Sequence, residues 1–227
     1  MTATSPHPRS ATGRLERMEA DVIARAPGTS GPTGRTNGRQ SITDARLDGL
    51  ITPDGVTMAG VQDLGAGRGP EWLDAWLALN APDVVAWRRH IHANPELARR
   101  EYGTTELVVG VLRSLGLKPA VLPLGTGVVC DIGSGPRCVA LRADMDALPI
   151  TEATGLPYAS AVDGVAHACG HDAHTAILLA AASALASAPE LPGRVRLIFQ
   201  PAEEVQPGGA LDMVADGALD GVQRIFA

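Results

Sequence analysis

Aromatic residues are scarce in this chain, at 3 % of 227 residues, so alanine, valine and leucine must supply most of any core. The hydrophobic fraction of 45 % is nevertheless that of a globular protein. The length suits one domain with a sizeable core plus some extra segment. No apolar run of about 18 residues is free of polar interruption, so a membrane-spanning helix is not expected. Met1 to Arg25 lacks the basic-then-apolar plan of a secretory signal, so the reading places the protein in the cytoplasm. Cys130, Cys138 and Cys169 do not make an even disulfide framework; in a reducing compartment they read as buried thiols or metal ligands. Basic excess is lacking too. The net charge of −6 argues against a nucleic-acid binder that relies on a positive surface. The acid surplus falls in residues 71–227, with 11 Lys+Arg against 18 Asp+Glu, and suits a site that gathers carboxylates around cations.

Residues 1–70 read as a low-complexity, disordered leader. Pro27 to Arg39 is built from Gly, Pro, Ser, Thr, Asn and Arg and cannot bury enough apolar surface to offset ordering entropy. A short helix around Leu15 to Ala24 is its one periodic stretch. Order is expected over residues 71–227. Trp72, Leu73, Trp76, Leu77 and Leu79 fall at helical spacings, the pattern resumes after Pro82 through Ile91, and Pro95 ends or bends it. Thr104 to Leu115 carries an apolar face closed by Gly116. Val121 to Ile132 reads as two short strands around Gly125-Thr126-Gly127, and Val139 to Arg142 as a brief buried strand. Ala173 to Ala188 is an apolar helix, and Arg194 to Gln200 a strand ending at Pro201. Helices alternating with short strands predict an α/β fold, an open mixed sheet with flanking helices.

Four segments concentrate the chemistry. His167, Cys169, His171, Asp172 and His174 lie within eight residues, just before the apolar helix. In an extended loop Cys169 and His171 project to one side, and thiolate, imidazole and carboxylate are the usual transition-metal ligands. The competing reading is a polar loop with Asp172 as helix N-cap. Glu203-Glu204 follows the Val195 to Phe199 strand directly, where binding crevices of open α/β sheets form. Adjacent carboxylates repel, so keeping both ionised there requires cations. One can hold metal while its neighbour takes a proton from the attacking water; an isolated solvated pair is the alternative. Asp144 and Asp146 fit either as partners of metal-bound imidazoles or as caps of a turn before Pro149. His90 and His92, two apart on a helix, diverge in direction, and by residue type they are ordinary polar residues at a helix end.

Taken together, Trp87-Arg88-Arg89-His90-Ile91-His92-Ala93-Asn94-Pro95-Glu96-Leu97, Arg142-Ala143-Asp144-Met145-Asp146-Ala147-Leu148-Pro149, His167-Ala168-Cys169-Gly170-His171-Asp172-Ala173-His174 and Gln200-Pro201-Ala202-Glu203-Glu204 carry a resemblance. They resemble the aminoacylase and carboxypeptidase (M20) superfamily of two-metal peptidases, in its amidohydrolase branch of hippurate hydrolases, N-acyl-amino-acid deacylases and auxin-conjugate hydrolases. The match runs over about residues 83–227. It implies a zinc-exopeptidase-like catalytic domain holding two divalent ions, Mn²⁺, Zn²⁺ or similar. By motif position, Cys169 is implied as a thiolate shared between the metals, His171 and Glu204 as further ligands, Glu203 as general base and then acid, and Asp146 as an orienting aspartate. The implied reaction is hydrolysis of the amide of an N-acyl amino acid, a small-molecule substrate, with metal-bound hydroxide attacking the carbonyl and Glu203 passing the proton to the leaving amine.

In that superfamily another ligand histidine follows an Ile-Phe-(Gly/Ala) strand and a final one lies near the carboxyl terminus. This sequence stops at Ile225-Phe226-Ala227. The expectation is therefore an incomplete catalytic domain, without the family's dimerisation domain and inactive alone. Three other readings stand beside it: a peptidase of the same superfamily acting on small peptides, a cysteine hydrolase with Cys169 as nucleophile and His171 as base, and a non-catalytic remnant.

Overall fold

The computed structural model describes residues 71–227. The leader, its helix around Leu15 to Ala24 and the expectation of disorder there lie outside the described residues.

Helix α1 (Glu71–Ala93) is continuous, with Pro82 inside it rather than between two helices. It ends two residues before Pro95, whose ring disfavours helical backbone in the residue ahead of it. Helix α2 (Tyr102–Ser114) closes as the apolar face and Gly116 predict. Gly116, at φ 78°, donates to the Arg113 carbonyl and Leu117 donates to that of Leu112, the paired bonds of a Schellman stop. Strands β1 (Ala120–Val121) and β2 (Val128–Gly133) form the expected pair around Gly125-Thr126-Gly127. Strand β3 (Cys138–Asp144), helix α3 (His171–Ala186), strand β4 (Arg194–Gln200), helix α4 (Gly209–Ala215) and strand β5 (Arg224–Phe226) complete the order.

The sheet is open and mixed, in the order β1-β2-β4-β3-β5. β2 runs antiparallel to β1 and β4, while β3 is parallel to both β4 and β5. Two parallel neighbours joined through α3 form a β-α-β unit, the connection parallel strands require. The alternation of β2, with Val128, Cys130 and Ile132 buried, turns one face toward α2 and α3. Leu179, Leu197, Phe199, Val108 and Leu112 are fully buried. At roughly 1.5–3 kcal/mol each, such side chains supply the drive that the few aromatics cannot. On the other face Leu122, Ala140, Ile198, Met213 and Ala218 form a smaller core under α4.

The register pairs Asp144 with Gln200. The carboxyl ends of β3 and β4 are therefore side by side, and Asp146, Glu203 and Glu204 leave the sheet at one edge. The amino end of α3 returns to the same place. The 26-residue span from Met145 to Gly170 is tied to the body by Ala147 donating to Glu96 O and by Ala161 donating to Ala93 O, and to itself by the Leu148–Ala166 bridge.

Candidate metal centre

Gly170 begins the site. At φ 90° it occupies the left-handed region that favours glycine, and it turns the chain into α3 immediately after Cys169. His171 is then the first helical residue and is 2 % exposed. Its Nδ1 lies 2.9 Å from the Asp146 carbonyl oxygen and 3.3 Å from Asp146 Oδ1. Nδ1 therefore carries the proton and donates, which leaves Nε2 as the free lone pair directed at the acids. Nε2 stands 3.5 Å from Asp144 Oδ1, 3.8 Å from Glu204 Oε1 and 3.9 Å from Glu203 Oε2. Burial alone would pull the His171 pKa down. The Asp146 and Asp144 carboxylates outweigh it and hold the imidazole above its ordinary value.

Ligand atoms of Cys169, His171 and Glu204 all lie within 4.8 Å of one another, and a second triad, Asp144, His171 and His174, meets the same limit. The two are not equivalent. Asp144 is already engaged: Arg142 Nη1 donates to its Oδ2 at 2.7 Å, and His174 Nδ1 sits 2.7 Å from its Oδ1. Glu204 Oε1, by contrast, is buried with no hydrogen-bond partner, as is Asp146 Oδ1. A buried carboxylate oxygen without a donor has room for an ion or a water, and that of Glu204 faces the Cys169 sulfur and His171 Nε2. Soft thiolate, imidazole and carboxylate on one point form a donor set suited to a divalent transition metal.

The acids also decide the state of Cys169. The Glu204 carboxylate beside it, some burial, and Glu203 and Asp144 push its thiol above the ordinary value of 9. A thiolate is therefore stable here only with a positive charge to offset these groups. That is unfavourable for an unaided cysteine nucleophile, which needs a depressed pKa.

The dense motif does not act as one cluster. Cys169 and His171 turn to the acids, and His174, half exposed, pairs with Asp144. Asp172 does not cap α3, which carries no side-chain cap; Gly170 is the N-cap. The Asp172 carboxylate is instead fully buried behind the site, where Oδ2 accepts from Arg88 Nε at 2.8 Å and from His92 Nδ1 at 2.7 Å. His92 Nε2 reaches Glu152 Oε1 at 3.1 Å, and the Tyr158 ring meets the His92 ring edge-on, 5.5 Å between centroids. Reading His92 as an ordinary polar residue at a helix end is thus corrected: it is 6 % exposed and clamps α1 to α3 and to the long connection. Only the through-space pairing of residues 80 apart reveals this. His167 is buried beside it at 6.5 Å between ring centroids, and burial holds its pKa down to about 4.

Of the two aspartates at the end of β3, Asp146 accepts from His171 Nδ1 through its backbone carbonyl, and the Asp144 carboxylate meets His174 Nδ1. Asp146 also anchors the acid pair, because its Oδ2 accepts the Glu204 backbone N–H at 2.9 Å. Glu203, with 42 % of its side chain exposed, is the member of that pair that faces solvent. A further acid, Glu101, was not among the sequence candidates. It is fully buried, and its Oε1 accepts the Ala202 N–H at 2.7 Å.

The chain is similar to known proteins over part of its length. The model of peptidase family M20/M25/M40 matches residues 140–227. An N-acyl-L-amino acid amidohydrolase of Geobacillus stearothermophilus is 49 % identical over 147 residues, 63 % of this chain and 40 % of its own length. A Rhodococcus jostii protein named as a glutamate–cysteine ligase is 57 % identical over 150 residues, 66 % of this chain. That segment is 19 % of the Rhodococcus protein, so most of the chain bearing the name has no counterpart here. The crystal structure of the Bacillus subtilis YxeP protein, described as a dinuclear metal-binding peptidase of the M20 family, superimposes with a TM-score of 0.61 at 42 % identity. It covers 67 % of this chain and 42 % of its own. The chain thus spans about two fifths or less of the length of these relatives.

Proposed function

Because the described part of this chain belongs to peptidase family M20/M25/M40, we propose that it contributes Cys169, His171 and Glu204 as ligands to a pair of divalent metal ions, Mn²⁺, Zn²⁺ or a similar ion, in a hydrolase of N-acyl amino acids. The observation that carries the proposal is the convergence of those three ligand atoms within 4.8 Å around a buried, unpartnered Glu204 oxygen. Metal held there supplies Lewis acidity toward the amide carbonyl and a more acidic water. The protein's own residues do the rest. Asp146 holds His171 in the tautomer that presents Nε2 and pins Glu204 through its backbone N–H. Glu203, exposed and ahead of Glu204, takes the proton from water and returns it to the departing amide nitrogen.

The three free cysteines support a reducing compartment, and the proposal extends to a cytoplasmic location, which cell fractionation tests. Among the described residues, no helix is long and apolar enough to cross a membrane.

Metal analysis of the purified chain and a panel of N-acetyl, N-benzoyl and indole-acyl amino acids test the reading. Bound divalent metal, and any amide hydrolysis abolished by chelator, are the expected results. No bound metal, or turnover that resists chelator and yields to thiol alkylation, would overturn it. Dipeptides belong in the panel because the family model and YxeP are both described as peptidases; a preference for dipeptides would replace the acyl-amino-acid substrate while keeping the metal site.

A further inference from the structure

Two glutamates stand at the start of helix α2, where one cap is needed. Glu101 is its N-cap residue, yet its side chain makes no cap bond. The cap comes from Glu96, whose carboxylate accepts the Gly103 N–H at 2.9 Å, the Thr104 N–H at 2.8 Å and the Thr104 hydroxyl at 2.9 Å. Glu96 thereby satisfies the orphan donors at the amino end of α2 and sits where the helix dipole favours an anion. Glu101 is released for something else. Its carboxylate, fully buried, accepts the Ala202 N–H, 101 residues away.

Ala202 needs holding. Its φ of 53° lies in the left-handed region, which costs a non-glycine residue roughly 1 kcal/mol or more. It is the hinge between the end of β4 and Glu203-Glu204, so its conformation sets where both carboxylates go. The turn is clamped on its other side as well. Gly209 donates to Ala202 O at 2.8 Å, and a Cβ at Gly209 would overlap the Pro201 carbonyl oxygen. A Cβ at Gly127 would stand 2.7 Å from the Pro201 ring. Beyond the hinge, Asp146 takes the Glu204 N–H. Of these restraints, only the Glu101 carboxylate acts on Ala202's own N–H.

We propose that Glu101 is a positioning residue that holds Ala202 in its left-handed conformation and so aims Glu204 at Cys169 and His171. The proposal rests on the metal-centre reading for its consequence in affinity, but its geometry stands without metal. Two readouts separate them: Co²⁺ binding, followed by titration and by the thiolate-to-cobalt absorption that reports Cys169, and the rate at which iodoacetamide alkylates Cys169 in metal-free protein. Glu101→Ala is expected to weaken Co²⁺ roughly 10- to 100-fold, the usual effect of losing a partner that orients a ligand. It should also change the alkylation rate in the same sense as Glu204→Ala does, because the Glu204 carboxylate, within 4.8 Å of the Cys169 sulfur, no longer stands beside it. Glu101→Gln keeps an acceptor oxygen for Ala202 and is expected to restore both readouts. In a Glu204→Ala background, Glu101→Ala should add nothing further. Where the alanine variant does not fold, Glu101→Asp, which shortens the reach by one methylene, takes its place with the same expectations. Wild-type protein that binds no Co²⁺ overturns the metal reading, and alkylation still decides the role of Glu101. Unchanged alkylation and affinity in a folded Glu101 variant, or equal losses with and without Glu204, overturn the proposal.

Discussion

At the scale of single residues, the surroundings of Cys169 separate two chemistries that its sequence motif leaves open. A thiol ringed by Glu204, Glu203 and Asp144 is pushed above its ordinary pKa, so in metal-free protein it should react slowly with iodoacetamide near neutral pH. The rate should climb only in the alkaline range, and Glu204→Gln should shift that climb to lower pH. Mass-spectrometric alkylation profiles across pH measure this directly. A bound divalent ion should protect the sulfur instead. Glu203 makes the complementary case. It lies beside His171 Nε2 at 3.9 Å but largely faces solvent, so Glu203→Gln should leave bound metal unchanged. Removal of a proton-transfer group costs roughly 10²–10⁴-fold in rate, and kcat of the hydrolysing form should fall by that order.

Among the elements, the site depends on two clamps that no local pattern announces. The first is the hinge after β4. Gly209→Ala drives a Cβ into the Pro201 carbonyl; relieving that clash by moving backbone should cost about 2 kcal/mol, visible as a lower Tm. The second is the Arg88–Asp172–His92 junction of α1 with α3. Asp172→Ala removes the fully buried carboxylate that Arg88 Nε and His92 Nδ1 share, while His92 Nε2 keeps Glu152. Breaking a buried pair costs about 3–5 kcal/mol. Arg88 is 37 % exposed, so solvent recovers part of that, and a loss of about 2 kcal/mol in chemical denaturation is expected.

For the molecule as a whole, pH and metal should act in opposite directions. His171 has its folded-state pKa raised. Its contribution to stability is therefore fully present below 6.5, its ordinary value, and is lost as pH rises through the folded pKa. Metal requires the deprotonated Nε2. The gain in stability from added Zn²⁺ or Mn²⁺ should accordingly grow over the same pH range in which the metal-free protein loses its His171 contribution. A ligand at about 100 times its Kd adds roughly 2.7 kcal/mol. Thermal melts at several pH values, with and without metal, check both slopes.

What the sequence determined by itself is local. Periodicity located α1, α2, α3 and the β2–β4 strands within a few residues, because amphipathic spacing and the stops at Pro95 and Gly116 act through near neighbours. The clustering of Cys169 and His171, and the strand-end placement of Glu203-Glu204, were legible for the same reason. Tertiary structure alone decided the partners. The parallel register of β3 and β4 brings Asp144 and Asp146 to the acid pair. The fold also sends Asp172 away from its helix cap to His92 and carries Glu101 to Ala202 across 101 residues. Hydrogen-bond partners so distant along the chain are set by packing against a common core, and no pattern within one segment encodes them.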